Sequence, residues 1–182
     1  MADVELARPV ADDAAGLSVS DPFESGPLRF LPSPIRRSTS VLRSIGAGWA
    51  TAFFPSIALS ALAAALAPDL GRPEFPAGGA LLIFLLVVFS PFFETLIMVG
   101  ALELLRRFLS PTVAVLASAA LWAIAHSLAA PAWGLVIWWP FLIFSTAFLV
   151  WRPRGFWAAW ALVSALHGLN NLLPGLLVAF GA

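Results

Sequence analysis

Apolar residues fall into five long stretches, each closed by prolines, glycines or charges. They run from Val41 to Ala67, Gly78 to Leu105, Pro111 to Ala130, Ala132 to Trp151 and Gly155 to Phe180. Each is long enough for the roughly 20 residues that a bilayer crossing needs. None alternates with period two, and a strand edge left open in hydrocarbon would strand its backbone polar groups, so the stretches are expected to be helices. The pattern predicts an all-α, polytopic membrane helix bundle of about five transmembrane helices. Ahead of them, Met1 to about Arg37 is rich in Asp, Ser, Pro and Ala, with Pro22, Pro27, Pro32 and Pro34 discouraging regular structure. Residues 1–40 are therefore expected to be a disordered tail and 41–68 a first transmembrane helix. In the first helix Ser56, Ser60 and Ala64 recur at the small-xxx-small spacing that permits close helix approach.

Composition places the chain in the membrane. Of 182 residues 60% are hydrophobic and 11% charged, and the mean hydropathy is +0.92, whereas a soluble domain is about a quarter charged. Ten basic and ten acidic residues give a net charge of zero, so there is no general field to gather nucleic acid. Absence of Cys removes disulfides, thiol nucleophiles and thiolate-bound metal; absence of Lys removes Schiff-base chemistry and a phosphate-binding P-loop lysine. The first residues, MADVELARPVADDAAG, fit neither a secretory signal nor an Arg-rich transit peptide.

The arginines give an orientation. Arg29, Arg36, Arg37 and Arg43 precede the first helix, Arg106 and Arg107 follow the second, and Arg152 and Arg154 follow the fourth. The alternate connections hold only Arg72, opposed by Asp69 and Glu74, and the uncharged Ala129 to Trp133. The positive-inside rule puts the N-terminus in the cytoplasm and the C-terminus outside. Trp133, Trp151 and Trp157 are expected at the membrane interfaces. The Arg-only, Ala-rich composition suggests a GC-rich bacterial source, and hence an inner-membrane location.

Three ionisable side chains lie well inside the spans, Glu94, His126 and His167, with Asn171 one turn beyond the last. Such residues are expensive at bilayer depth and are functional candidates by default. At 1.5 Å rise, Glu94 lies about 16 Å from Leu105, His126 about 22 Å from Pro111, and His167 and Asn171 about 18 and 24 Å from Gly155. All four distances are measured from the arginine-rich end, so three helices can converge on one polar site. Pro91 and Pro174 flank this band, each removing a backbone donor and freeing carbonyls in the preceding turn.

These residues resemble a family. PFFETLIMVG, Pro91 to Gly100, is similar to the first motif of the CAAX prenyl protease and bacteriocin-processing (CPBP, or Abi) intramembrane endopeptidases, which normally has two adjacent glutamates, three residues and an arginine. WAIAH, ending at His126, resembles the second motif, and HGLNN, His167 to Asn171, the third. The resemblance covers roughly Ala80 to Phe180 and so implies an intramembrane protease core over 78–181, with the first helix and the tail outside it. Thr95 stands where the second glutamate is usual and Val99 where the arginine is usual. Losing both removes an ion pair without leaving an orphan buried charge.

The resemblance implies a metal-independent glutamate-type endopeptidase: Glu94 and His126 would activate water, and His167 and Asn171 would stabilise the oxyanion, with no cofactor. Its substrates would be membrane-embedded or membrane-adjacent peptide segments, and lipid its surroundings. A His₂Glu zinc site from Glu94, His126 and His167 is the metal-bound alternative. Other protease classes fail on residues: Asp69 is the only Asp after the tail, and neither HExxH nor GxSxG occurs. The same polar band also fits a proton-coupled transporter or a non-enzymatic immunity or scaffold protein.

Overall fold

A computed structural model describes residues 21–71, 73–75 and 77–181. Among these residues the chain is all-helical, and five helices are long and apolar enough to cross a membrane, as an integral multi-pass protein requires. They are α1 (Val41–Leu66), α2 (Gly79–Leu105), α3 (Pro111–Ala129), α4 (Pro131–Trp151) and α5 (Phe156–Phe180). The ends of the five apolar stretches fall within one residue of the observed helix ends, because Pro, Gly and side-chain caps punctuate the apolar runs. Ser40 Oγ accepts from Arg43 N at the start of α1, and Ser110 Oγ accepts from Val113 N at the start of α3. Between α4 and α5, Gly155 takes a φ of 115°, which the sharp reversal needs and a side chain would oppose.

Helix α4 is the axis of the bundle. From Pro140 to Trp151 every residue but Leu149 is buried, and the other four long helices pack around it. Close approach is set by glycines. A Cβ on Gly134 would meet Ala123 O of α3 at 2.5 Å, and one on Gly48 would meet the Leu166 side chain of α5 at 2.8 Å. The small-residue stripe expected to bring α1 against a neighbour does not do so. Only Ser44, Gly48, Ala52 and Phe53 of α1 are buried, all in its first half, while Ser60 and Ala64 are exposed.

The expectation of a disordered tail over 1–40 needs correction for its second half; residues 1–20 lie outside the described residues. A 3-10 turn, Pro27–Phe30, and one helical turn, Ser33–Arg36, lead into α1. Phe23, Leu28, Leu31 and Ile35 are at most 2% exposed and belong to the main core. The prolines do block long helix, yet each short turn points one apolar side chain into the bundle. Polar links hold the segment down: Asp21 pairs with Arg36 and Arg37, Arg36 Nε donates to Leu31 O (2.8 Å) and Ser44 Oγ donates to Pro34 O (3.2 Å). Trp151, at the end of α4, is buried against the start of α1, its Nε1 donating to Ser44 Oγ at 3.1 Å.

Candidate active site

Pro91 shapes α2 around the site. Without an N–H it can serve neither Val87 O, four residues back, nor Leu86 O, five back. Leu85–Phe89 winds as a π turn, with Ser90 N bonding to Leu85 O, and such turns recur at functional positions. The freed Leu86 carbonyl accepts a hydrogen bond of 3.1 Å from Asn171 Nδ2 of α5. Gly168, one turn earlier on α5, allows the approach: a Cβ there would lie 2.5 Å from Val87 O. Asn171 thus clamps α5 onto the disturbed turn with one of its two amide hydrogens.

Immediately after the π turn comes Glu94. Its Oε1 accepts from Ser90 Oγ, one turn back, which fixes the carboxylate with Oε2 facing two imidazoles. His126 Nε2 of α3 and His167 Nε2 of α5 each lie 3.9 Å from that oxygen. This is beyond direct hydrogen-bond length and fits a water bonded to both sides.

The far nitrogens of the rings define what each can do. His126 Nδ1 is 2.9 Å from Trp122 O; a carbonyl only accepts, so Nδ1 carries the hydrogen and, in the neutral ring, Nε2 is an acceptor. His167 Nδ1 is 3.3 Å from Thr95 Oγ1, a hydroxyl that can either donate or accept. Aromatic rings pin both imidazoles. Trp133 meets His126 edge-on at 4.7 Å, and Phe144 lies 4.8 Å from His167.

These groups sit at the base of a cleft of about 400 Å³ to which all five long helices contribute. Glu94, His126, His167 and Asn171 all line it, so the structure gathers the four residues that the sequence singled out. Ser90 and Asn170 line it too and were missed. Ser90 had a readable signal, a hydroxyl four residues before the glutamate and therefore on its face. Asn170 is 8% exposed and its Oδ1 has no hydrogen-bond partner among the described residues. Thr95 and Val99, marked in the sequence only as departures, are both fully buried on one face of α2. No group of three or more His, Cys, Asp or Glu among the described residues has the arrangement to hold a metal ion.

Comparison with protein-family models, with curated proteins and with solved structures finds no match for this chain.

Proposed function

We propose that this protein is an intramembrane endopeptidase of the glutamate type, resembling the CAAX prenyl protease and bacteriocin-processing family, that hydrolyses peptide bonds in membrane-embedded or membrane-adjacent segments. The observation that carries this reading is one carboxylate oxygen, Glu94 Oε2, faced by two imidazole nitrogens at 3.9 Å in an open cleft within a membrane bundle.

In this mechanism a water lies between Glu94 Oε2 and His126 Nε2, both of which can accept its hydrogens. The water oxygen forms a bond to the scissile carbonyl carbon as one proton passes to Glu94. The carbonyl oxygen becomes an oxyanion, the C–N bond then breaks, and Glu94 returns the proton to the leaving nitrogen. If Thr95 donates to His167 Nδ1, His167 carries its own hydrogen on Nε2 and faces the cleft as a donor. That hydrogen and the second amide hydrogen of Asn171 are the oxyanion donors.

The filling of the bundle argues against a proton-coupled transporter. Such a protein needs a proton path through both halves. Beyond Glu94 and the histidines, the buried polar residues toward the arginines among the described residues are Ser44, Thr95, Ser118, Ser145 and Thr146, hydroxyls with no ionisable side chain among them to carry a proton onward.

The test is cleavage of a membrane-peptide library in detergent or proteoliposomes, with products identified by mass spectrometry. The unaltered chain is expected to cleave a subset and Glu94→Gln none, while inserting equally well. A near-parental rate for Glu94→Gln on an identified substrate overturns the glutamate mechanism. One zinc per active chain, lost together with activity in His126→Ala, selects the His₂Glu alternative instead.

A further inference from the structure

The cleft lies wholly to one side of the catalytic groups. Along α1 its lining runs from Phe53 to Ala64, with Ala67 just past the helix end, along α4 from Ala132 to Phe141 and along α5 from His167 to Val178. Each range starts at the middle of its helix, at Phe53, Phe141 and His167, and extends away from the arginine-rich end. From α2 it takes Leu86, Ser90 and Glu94, with Glu94 the residue nearest the arginines. The opening follows from how α1 packs: its first half is held by Gly48 against Leu166, and beyond Pro55 none of its residues is buried. Ser60 and Ala64 of α1 and Val178 of α5 consequently form exposed walls.

The opposite end is closed. Met98, Leu102, Phe144, Phe148 and Leu166 fill the space behind the histidines, each at most 1% exposed. Over them folds the segment 21–40, with Phe23, Leu28, Leu31 and Ile35 buried in the same core. Arg154 Nη2 ties it from the far side by donating to Ser38 O at 2.6 Å. A peptide arriving from the arginine-rich face would have to displace this segment and the core beneath it.

Resting on the reading of Glu94 and its histidines as a hydrolytic centre, we infer that the protein takes its substrate only from the arginine-poor side of the membrane, as an extended apolar stretch passing between the diverging second halves of α1 and α5. By the positive-inside rule that side is extracytoplasmic. The reaction sets the conformation: in a helix the scissile carbonyl is bonded to the N–H four residues on, so the stretch is unwound where it meets Glu94. The substrates are therefore apolar chain ends or helix ends that fray in the outer leaflet, and segments confined to the cytoplasmic leaflet are excluded.

The natural absence of Cys makes the test clean. Single substitutions Ser60→Cys in the cleft, Glu74→Cys in the arginine-poor connection and Arg107→Cys at the arginine-rich end are made in the full chain. Membrane-impermeant maleimide is then applied to right-side-out and to inverted vesicles. The Ser60→Cys thiol is expected to label from the side that labels Glu74→Cys, with complete loss of label from the side that labels Arg107→Cys. Labelling from the arginine side, or from neither side, overturns the inference; Ala64→Cys repeats the measurement should Ser60→Cys fail to insert. In the Glu94→Gln background, a lysine-tagged Ala/Leu peptide added on the arginine-poor side is expected to slow the labelling, and unchanged labelling overturns the assigned route. Both readouts are independent of cleavage. A one-sided cleft in a protein that cleaves nothing sinks the protease reading alone, and cleavage with labelling from the arginine side sinks the route alone.

Discussion

The two halves of the bundle are built from the same five helices and differ in almost everything else. Towards the arginines, α4 is buried on all sides, Phe144 and Phe148 are at most 1% exposed, and ion pairs lace the end: Glu103 bonds Arg152 at 2.5 Å and Arg106 at 2.8 Å. Away from them, α1 splays, α2 winds through a π turn, and the polar side chains gather around open space. Tight packing supplies the rigidity of the first half, even with Thr39 Oγ1, Trp160 Nε1 and Ser164 Oγ buried there without a hydrogen-bond partner among the described residues. A cleft with disturbed turns and an unpartnered amide is a cost that the packed half must carry. The difference teaches that the histidines are held from behind, by the dry half, and presented forwards to the wet one.

A substitution at the base of the cleft should therefore affect chemistry and spare stability. His126→Ala removes the acceptor at Nε2 and leaves Glu94 with Ser90, so the cleavage rate is expected to fall about 10²–10⁴-fold. Its unfolding midpoint in detergent should stay close to the parent's. A large drop in the midpoint would mean that the cleft half carries stability as well.

The converse break is Phe148→Ala, far from the cleft and fully buried. It opens a void in a core that cannot collapse fully, at a cost of about 3 kcal/mol. Denaturation should show that loss, while the rate per folded molecule on an identified substrate stays near the parent's.

Much of this division is legible in the sequence, and some is not. The helices announce themselves, because an apolar run of bilayer length has one solution and Pro68, Pro111, Pro131 and Gly155 mark the ends. Equal depth on three helices is enough to place Glu94, His126 and His167 in one band, since a helix fixes the rise per residue. What fails are readings that need a partner surface. Leu28, Leu31 and Ile35 fall at the i, i+3, i+7 spacing of a buried helix face, a signal masked by Pro27, Pro32 and Pro34, which forbid a continuous helix there, and Phe23 lies outside the pattern. Ser60 and Ala64 have the spacing of a helix contact, and only the divergence of α1 beyond Pro55 turns them to the cleft. The π turn at Leu85–Phe89 is foreshadowed by Pro91, but Asn171 as donor to Leu86 O depends on how α5 is placed.

Between the halves lie Thr95 and Val99, one turn apart on the same buried face. Val99→Arg puts an unpartnered charge there and is expected to cost about 2–4 kcal/mol. Adding Thr95→Glu should restore part of that loss through an i, i+4 ion pair. Unfolding of the two singles and the double forms a double-mutant cycle. If the double variant is as unstable as the sum of the singles, the two positions do not serve each other, and the boundary between halves lies elsewhere.

The smallest effect sharpens the comparison most, because it separates holding a histidine from filling space. Thr95→Val keeps the shape and deletes only the hydroxyl that faces His167 Nδ1 at 3.3 Å. One neutral hydrogen bond contributes about 1 kcal/mol, and a loss of that size is expected in unfolding. If Thr95 sets which nitrogen of His167 carries the hydrogen, kcat falls while KM holds, since the donor to the oxyanion is misplaced and substrate binding is not. Thr95→Ser, which restores a hydroxyl at the same position, should recover kcat without the methyl's packing. Equal kcat in Thr95→Val and the parent would show that His167 needs no direction from behind, and would confine the dry half to stability alone.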